Sequence, residues 1–216
     1  PNFKLEKLPP VMLAGCRNAV FSGYIVVTNS TGSICELKAT MAGMSGPKGA
    51  KIPASQIIIR YADRAAPSNS WAPPYRFDRL LPEAPDEIET VDLKSWRKWK
   101  PKTPGPVAMR PIWVTVRVPK DQAPGAYMGE LKIEAEDMEV PSVFFKLSVA
   151  DWALPDPKDF RITTVALQSQ DAIARHYRVP LWSKKHLELT GKSLSLLGEI
   201  NSRQLAMNLC IDFYAL

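Results

Sequence analysis

Residues able to bind or transform a polar ligand gather toward the end of this chain. Gln168, Ser169, Gln170 and Asp171 make one polar run, Trp182 follows, and Asp212, Phe213 and Tyr214 make a last group. Amides and carboxylates hydrogen-bond hydroxyls, and an aromatic face packs on apolar C–H groups. Gln168, Asp171, Trp182, Asp212 and Tyr214 therefore suit a polyhydroxylated ligand. A plainer reading stands beside this one: Gln168 and Asp212 cap backbone groups, and Trp182 packs against the rim of the fold. His176 and His186 are the only histidines, and no carboxylate motif accompanies them, so they make no recognisable metal site. Gly191-Lys192-Ser193 resembles the end of a phosphate loop, but His186 stands where the earlier glycine is needed and the tripeptide falls inside a helical pattern. Gly43, Gly46 and Gly49 lack dinucleotide-binding spacing and read as a turn. No metal or cofactor is expected.

The elements that must carry those residues follow Asp151. Leu154-Pro155-Asp156-Pro157-Lys158-Asp159 reads as a linker, and Ile162–Leu167 as a strand. Asp171 is placed to cap a short helix through Tyr177, and Ser183 a longer one to about Ile200. Leu187, Leu189, Leu194, Leu196, Leu197 and Ile200 share a broad face of that second helix. Leu205–Ile211 then reads as a buried strand. Strand, helix, strand in this order is a βαβ unit and implies a parallel sheet or barrel. Gln168, Ser169, Gln170 and Asp171 then stand at the C-terminal end of the first strand and Asp212, Phe213 and Tyr214 at that of the second, the edge where barrels place their sites. A complete barrel takes about 250 residues, and only 66 (216 − 150) remain after residue 150, so this barrel is expected to be incomplete.

Upstream the pattern changes. Ile112, Val114, Val116 and Val118 share one parity; so do Tyr127, Gly129, Leu131, Ile133 and Ala135, and again Val143, Phe145, Leu147 and Val149. A period of two held over three segments means strands with one buried and one wet face. Residues 1–62 also read as β, with strands over 19–28, 34–42 and 57–61, and with Gly43, Gly46, Pro47 and Gly49 as breakers. Residues 63–106, rich in proline, read as irregular. The fold expected is mostly β: an antiparallel β-sandwich over residues 1–150, then an incomplete (β/α) barrel fragment over 151–216.

Composition narrows the function. With 45% hydrophobic and 23% charged residues and no apolar run of about 18 residues, the chain has neither the make-up of a disordered protein nor a membrane-spanning helix. It opens on Pro1 and not on Met, so it does not begin at a translation start, and a signal peptide removed upstream is compatible with it. Formal net charge is +6, concentrated in Lys94–Lys102, which also holds Trp96 and Trp99. That segment is either an anion site or a solvated loop whose tryptophans pack down. Zinc-finger spacing, an RNP motif and a basic heptad helix are all missing, which argues against nucleic acid. Cys16, Cys35 and Cys210 are too few for a disulfide framework; Cys16 and Cys35 could pair, but two buried free thiols fit better.

Several runs resemble one family. Arg110–Leu131 resembles the last strands of the sandwich preceding bacterial glycosidase barrels, and Val149-Ala150-Asp151-Trp152-Ala153-Leu154-Pro155 is similar to the exit into a catalytic domain. Leu167–Ala174, Tyr177 and Val179-Pro180-Leu181-Trp182-Ser183 resemble the first barrel strand and loop of glycoside hydrolase family 123, which includes β-N-acetylgalactosaminidases. The resemblance implies a secreted, periplasmic or cell-surface retaining hydrolase acting on an oligosaccharide or glycoconjugate. Catalysis there is substrate-assisted, by an Asp-Glu pair deep in the barrel: Asp orients the N-acetyl group and Glu serves as acid and then base. The only Asp-Glu dipeptide here, Asp86-Glu87, lies in the sandwich region and takes no such role. The catalytic pair is thus expected outside this chain, which should be inactive alone. The alternative is a non-catalytic carbohydrate-binding or adhesive module with Lys94–Lys102 as its ligand surface. The oligomeric state is not legible.

Overall fold

The computed structural model describes residues 8–64, 77–91, 106–163, 165 and 169–202. The chain divides into two compact units, Pro1–Leu154 and Pro155–Leu216. The first is built of β1 (Val11–Arg17), β2 (Ala19–Asn29), β3 (Ile34–Cys35), β4 (Lys38–Thr40), β5 (Gly43–Ser45), β6 (Lys51–Pro53), β7 (Ile57–Arg64), β8 (Phe77–Leu81), β9 (Glu87–Ile88), β10 (Ala108–Val118), β11 (Gly125–Glu134) and β12 (Val143–Ala153). One sheet runs β1-β12-β11-β5-β6 with β4 also on β11; the other runs β2-β10-β7-β8; β3 and β9 form a small pair.

The alternation read from the sequence is the core. Ile112, Val114 and Val116 of β10 are fully buried, as are Leu131 of β11 and Phe145 of β12, and Leu147 is nearly so. Each such side chain contributes about 1.5–3 kcal/mol on leaving water, so the inner faces of the two sheets hold the sandwich together. β2 and β10 pair antiparallel along their whole length, from Ala19↔Val118 to Asn29↔Ala108.

Four details depart from the sequence reading. β1 runs parallel to β12, Val11↔Phe145 to Gly15↔Val149, so the sandwich is antiparallel except at this pair. The strand expected over 34–42 splits into β3 and β4 because Glu36 adopts a left-handed backbone (φ 49°). The glycine-rich break at 43–49 still contributes β5, which pairs with β6 through Met44↔Ile52. Finally, the proline-rich stretch holds β8 and β9 among its described residues. β8 lies at the edge of its sheet, where a proline-bounded strand costs no ladder bonds on its open side.

β10 and β11 do not form a hairpin; the chain crosses between sheets, and Tyr127 fixes the crossing. Its hydroxyl donates to Ala123 O (2.6 Å) and accepts from Gln122 Nε2 (2.7 Å). The ring is 1% exposed and passes so close to Gly46 that a Cβ there would stand 2.2 Å from Cε1, which leaves room only for glycine. In the other sheet, Arg110 is buried and donates from Nη1 to Asp63 Oδ1 (2.6 Å) and Ala62 O (2.8 Å), while Arg79 also pairs with Asp63. Cys16 and Cys35 are free thiols, the first buried and the second half-buried; Cys210 lies outside the described residues. β12 continues through Ala153, and the Leu154 amide donates to Arg17 O (3.0 Å), so the sheet reaches the very end of the first unit.

The second unit contains α1 (Gln170–Tyr177) and α2 (Lys184–Gly198) among its described residues. Of the strand expected over Ile162–Leu167, Ile162 lies in a bend and is 80% exposed, and Thr163 and Val165 lie in no strand. Residues 164 and 166–168, the expected strand Leu205–Ile211 and the segment Lys94–Lys102 lie outside the described residues.

Candidate functional site

Of the five residues singled out by chemistry, Asp171 and Trp182 can be placed; Gln168, Asp212 and Tyr214 lie outside the described residues. Asp171 does not cap α1. The cap is Ser169, whose Oγ accepts from the Ala172 amide (3.3 Å), and Asp171 sits in the first turn, where its charge favours the positive end of the helix. The carboxylate residue is 7% exposed and borders a cleft of about 320 Å³ with Ala174, Arg175, Val179 and Leu181.

Trp182 lies in the turn joining α1 to α2. α1 ends on Arg178 in the left-handed region (φ 53°), with the Val179 amide donating to Ala174 O (3.0 Å). The chain then turns at Pro180–Ser183, closed by the Ser183 amide on Pro180 O (3.2 Å), with Trp182 itself left-handed at φ 61°. That conformation suits glycine, and a bulky residue holds it only when its surroundings fix it. Here the Trp182 amide donates to His186 Nδ1 (3.0 Å), and the indole stands edge-on to the imidazole at 5.6 Å. The ring remains 44% exposed.

His186 is the residue the sequence reading passed over. It is fully buried, and its two ring nitrogens are both engaged. Because Nδ1 accepts an amide proton, Nε2 must carry the ring proton, and it donates to Gln170 O at 3.0 Å. Ser183 Oγ accepts in turn from the His186 amide (3.2 Å). This is the reciprocal logic of a capping box with an imidazole in place of the usual carboxylate, reaching one residue further back. The serine three positions before a histidine was the available signal. Thr190, one turn on, donates to Gln170 Oε1 (3.3 Å), while Gln170 Nε2 is buried with no partner among the described residues. Asn201 closes the far end of α2 by donating to Phe160 O (3.2 Å) and Ile162 O (2.9 Å). His176 is exposed on α1, edge-on to Tyr177.

The inner face of α2 also differs from the expected leucine stripe. His186 and Thr190 are buried and Leu189, Leu194 and Leu197 half-buried, whereas Leu187, Leu196 and Ile200 are exposed. Gly191-Lys192-Ser193 lies within α2, as its helical pattern required. Lys185 and Lys192 both bond Glu188, at 3.1 and 3.2 Å, and this contact holds its carboxyl below the usual range.

A two-layer sandwich followed by a second compact unit with two helices among its described residues makes this a chain of two modules, the first of them β. The chain belongs to the family described as the glycoside hydrolase 123 N-terminal domain, whose model matches residues 17–135. A similar solved structure is a family 123 glycoside hydrolase from Clostridium perfringens, studied for the details of glycolipid glycan hydrolysis. The two are 16% identical with a TM-score of 0.68, a likeness of fold; the alignment covers 93% of this chain and 33% of that one. The chain thus spans about a third of the length of that hydrolase. No curated protein matches.

Proposed function

We propose that this chain is the leading portion of a glycoside hydrolase of the β-N-acetylgalactosaminidase type. Its sandwich would be an accessory domain, and the segment after Leu154 the beginning of a catalytic (β/α) barrel. The observation that carries this reading is the family match over residues 17–135. The division of the chain at Leu154–Pro155 and the helices that follow it support the placement of a second domain there. The carboxylates that do the chemistry lie beyond this chain, because the only Asp-Glu dipeptide has its Glu87 in β9 of the sandwich. Substrate is an oligosaccharide or glycoconjugate met outside the cytoplasm, in a secreted, periplasmic or cell-surface setting. Gln168, Asp171, Trp182, Asp212 and Tyr214 form the near edge of its pocket. Trp182 is the best supported of them, since a fixed backbone presents a ring that stays open to solvent.

The test compares the full product of the gene with the 216-residue chain on an aryl β-N-acetylgalactosaminide. The full product should release the aryl group and the shorter chain should not. Trp182→Ala in the full product should lower kcat/KM about tenfold, the worth of one aromatic contact. Hydrolysis by the 216-residue chain itself, or a full product inert on every β-N-acetylhexosaminide, would overturn the reading.

A further inference from the structure

The outer face of the β2-β10-β7-β8 sheet is unlike an ordinary wet face. Tyr24 of β2 and Trp113 of β10 are cross-strand partners, and their rings lie parallel within 3° with centroids 5.6 Å apart. Tyr24 is 57% exposed. Beside them a depression of about 560 Å³ is walled by Pro111, Ala62, Phe77 and Leu80 together with the two rings. Exposed apolar surface gathered this way on a rigid sheet marks a binding surface.

The polar groups around the rings are arranged along the strands. Two residues on from Trp113, Thr115 Oγ1 meets Ser22 Oγ at 3.0 Å, so a pair of hydroxyls follows the pair of rings. Two residues further, Arg117 is exposed; four residues of strand span roughly 14 Å. On the other side of β10, Arg60 of β7 stands directly across from Trp113 and is also exposed. Neither guanidinium has an ion-pair partner among the described residues. Aromatic surface, hydroxyls and two free guanidinium forks match a ligand that offers C–H faces, hydroxyl groups and a carboxylate.

We propose that this sheet face is a carbohydrate-binding platform for glycans carrying a carboxylate sugar, with Tyr24 and Trp113 stacking on pyranose rings and Arg60 and Arg117 selecting the acid. It uses only the first unit, so it stands or falls independently of the catalytic reading. None of its residues belongs to the basic segment Lys94–Lys102.

The experiment titrates the 216-residue chain with 3′-sialyllactose and with lactose, followed by NMR chemical-shift changes and calorimetry. The acidic sugar should bind at least tenfold more tightly than the neutral one. Arg60→Gln with Arg117→Gln should remove that preference and leave the weak neutral binding. Trp113→Ala and Tyr24→Ala should each weaken both ligands at least tenfold, while Trp113→Tyr should retain them. Tyr24 is exposed enough for its replacement to leave the fold intact, which a thermal melt verifies. Equal affinity for the two sugars, no binding of either, or binding unmoved by the Tyr24 and Trp113 replacements would overturn the proposal. So would capture of heparin with no response to sialyllactose, which would reduce the face to a non-specific cationic surface.

Discussion

Among the described residues the two compact units bury opposite kinds of side chain. In the sandwich the buried side chains are hydrocarbon: Ile112, Val114, Val116, Leu131, Phe145 and Leu147 pack between sheets, and buried polar groups such as Arg110 and Gln122 are few among the described residues. Among the described residues of the second unit the buried side chains are polar, Gln170, Asp171, His186, Thr190 and Asn201, with Ala174 the single apolar one. Of its large apolar side chains, Ile162, Leu187, Leu196 and Ile200 are exposed and Leu189, Leu194 and Leu197 half-buried. Apolar burial is non-directional and spread over many contacts, whereas a buried hydrogen bond is directional and costs its full desolvation when one partner is lost. The sandwich should therefore be sensitive to volume, and the second unit to the loss of individual donors and acceptors.

The widest separation is expected from truncating hydrocarbon in both units. Phe145→Ala should cost about 3–5 kcal/mol, because a ring is removed from a site with no exposure to refill it. Leu196→Ala, at 64% exposure, should stay within about 0.5 kcal/mol. Urea unfolding followed by circular dichroism measures both. A Leu196 variant as damaging as the Phe145 one would erase the distinction.

The converse test removes a polar hub. His186→Ala leaves the part-buried Trp182 amide and the buried Gln170 carbonyl without their ring partners, at a cost of about 1–3 kcal/mol. The loss should be confined to the second unit. Hydrogen exchange should speed up at Trp182 and in the first turn of α2 while β10–β12 amides keep their protection. His186→Leu, nearer in volume but without nitrogens, should fare no better; rescue by leucine would show that packing and not hydrogen bonding holds this corner.

This contrast also explains what the sequence disclosed. Period two over Ile112–Val118, Tyr127–Ala135 and Val143–Val149 is a direct imprint of burial on one face, so those strands and their inner residues were legible. Pairing was not: β1 meets β12 in parallel and Tyr24 meets Trp113 through contacts distant in sequence, which no local pattern encodes. β8 hid among prolines because an edge strand needs bonds on one side only. In the second unit the expectation of a leucine-lined α2 assumed an apolar core, and the buried stripe turned out to be centred on His186 and Thr190. Ser183 was legible as a cap, yet the imidazole completing that cap was not, since capping is usually sought from carboxylates and amides. Of the candidate site, Asp171 was found as the second residue of the helix it was expected to cap, two positions after the Ser169 cap.

The smallest effect expected is a difference in pH window. Tyr61 lies in the sandwich at 6% exposure, and its hydroxyl accepts from the Ala39 amide at 2.8 Å. Burial pushes the phenol above its ordinary value, and the amide bond only partly offsets this. Below a pH of about 10 the phenol is neutral in both folded and unfolded chains, so its contribution is fully present. Above that the unfolded chain ionises first and binds fewer protons than the native one, so stability falls as pH rises toward the folded value. Tyr61→Phe should cost about 1 kcal/mol at neutral pH, where it leaves the Ala39 amide without its acceptor. The gap between wild type and variant should narrow on going from pH 7 to pH 11, read from paired denaturant melts. Glu188 in the second unit carries the opposite sign: its lowered carboxyl favours the folded state above the ordinary glutamate range and loses that preference as pH falls. It is exposed and screened, so Glu188→Gln should leave the acid limb of the sandwich transition unchanged. A gap for Tyr61→Phe that stays constant through pH 11 would mean that the phenol ionises alike in both states, and the burial argument for this corner of the core would fail.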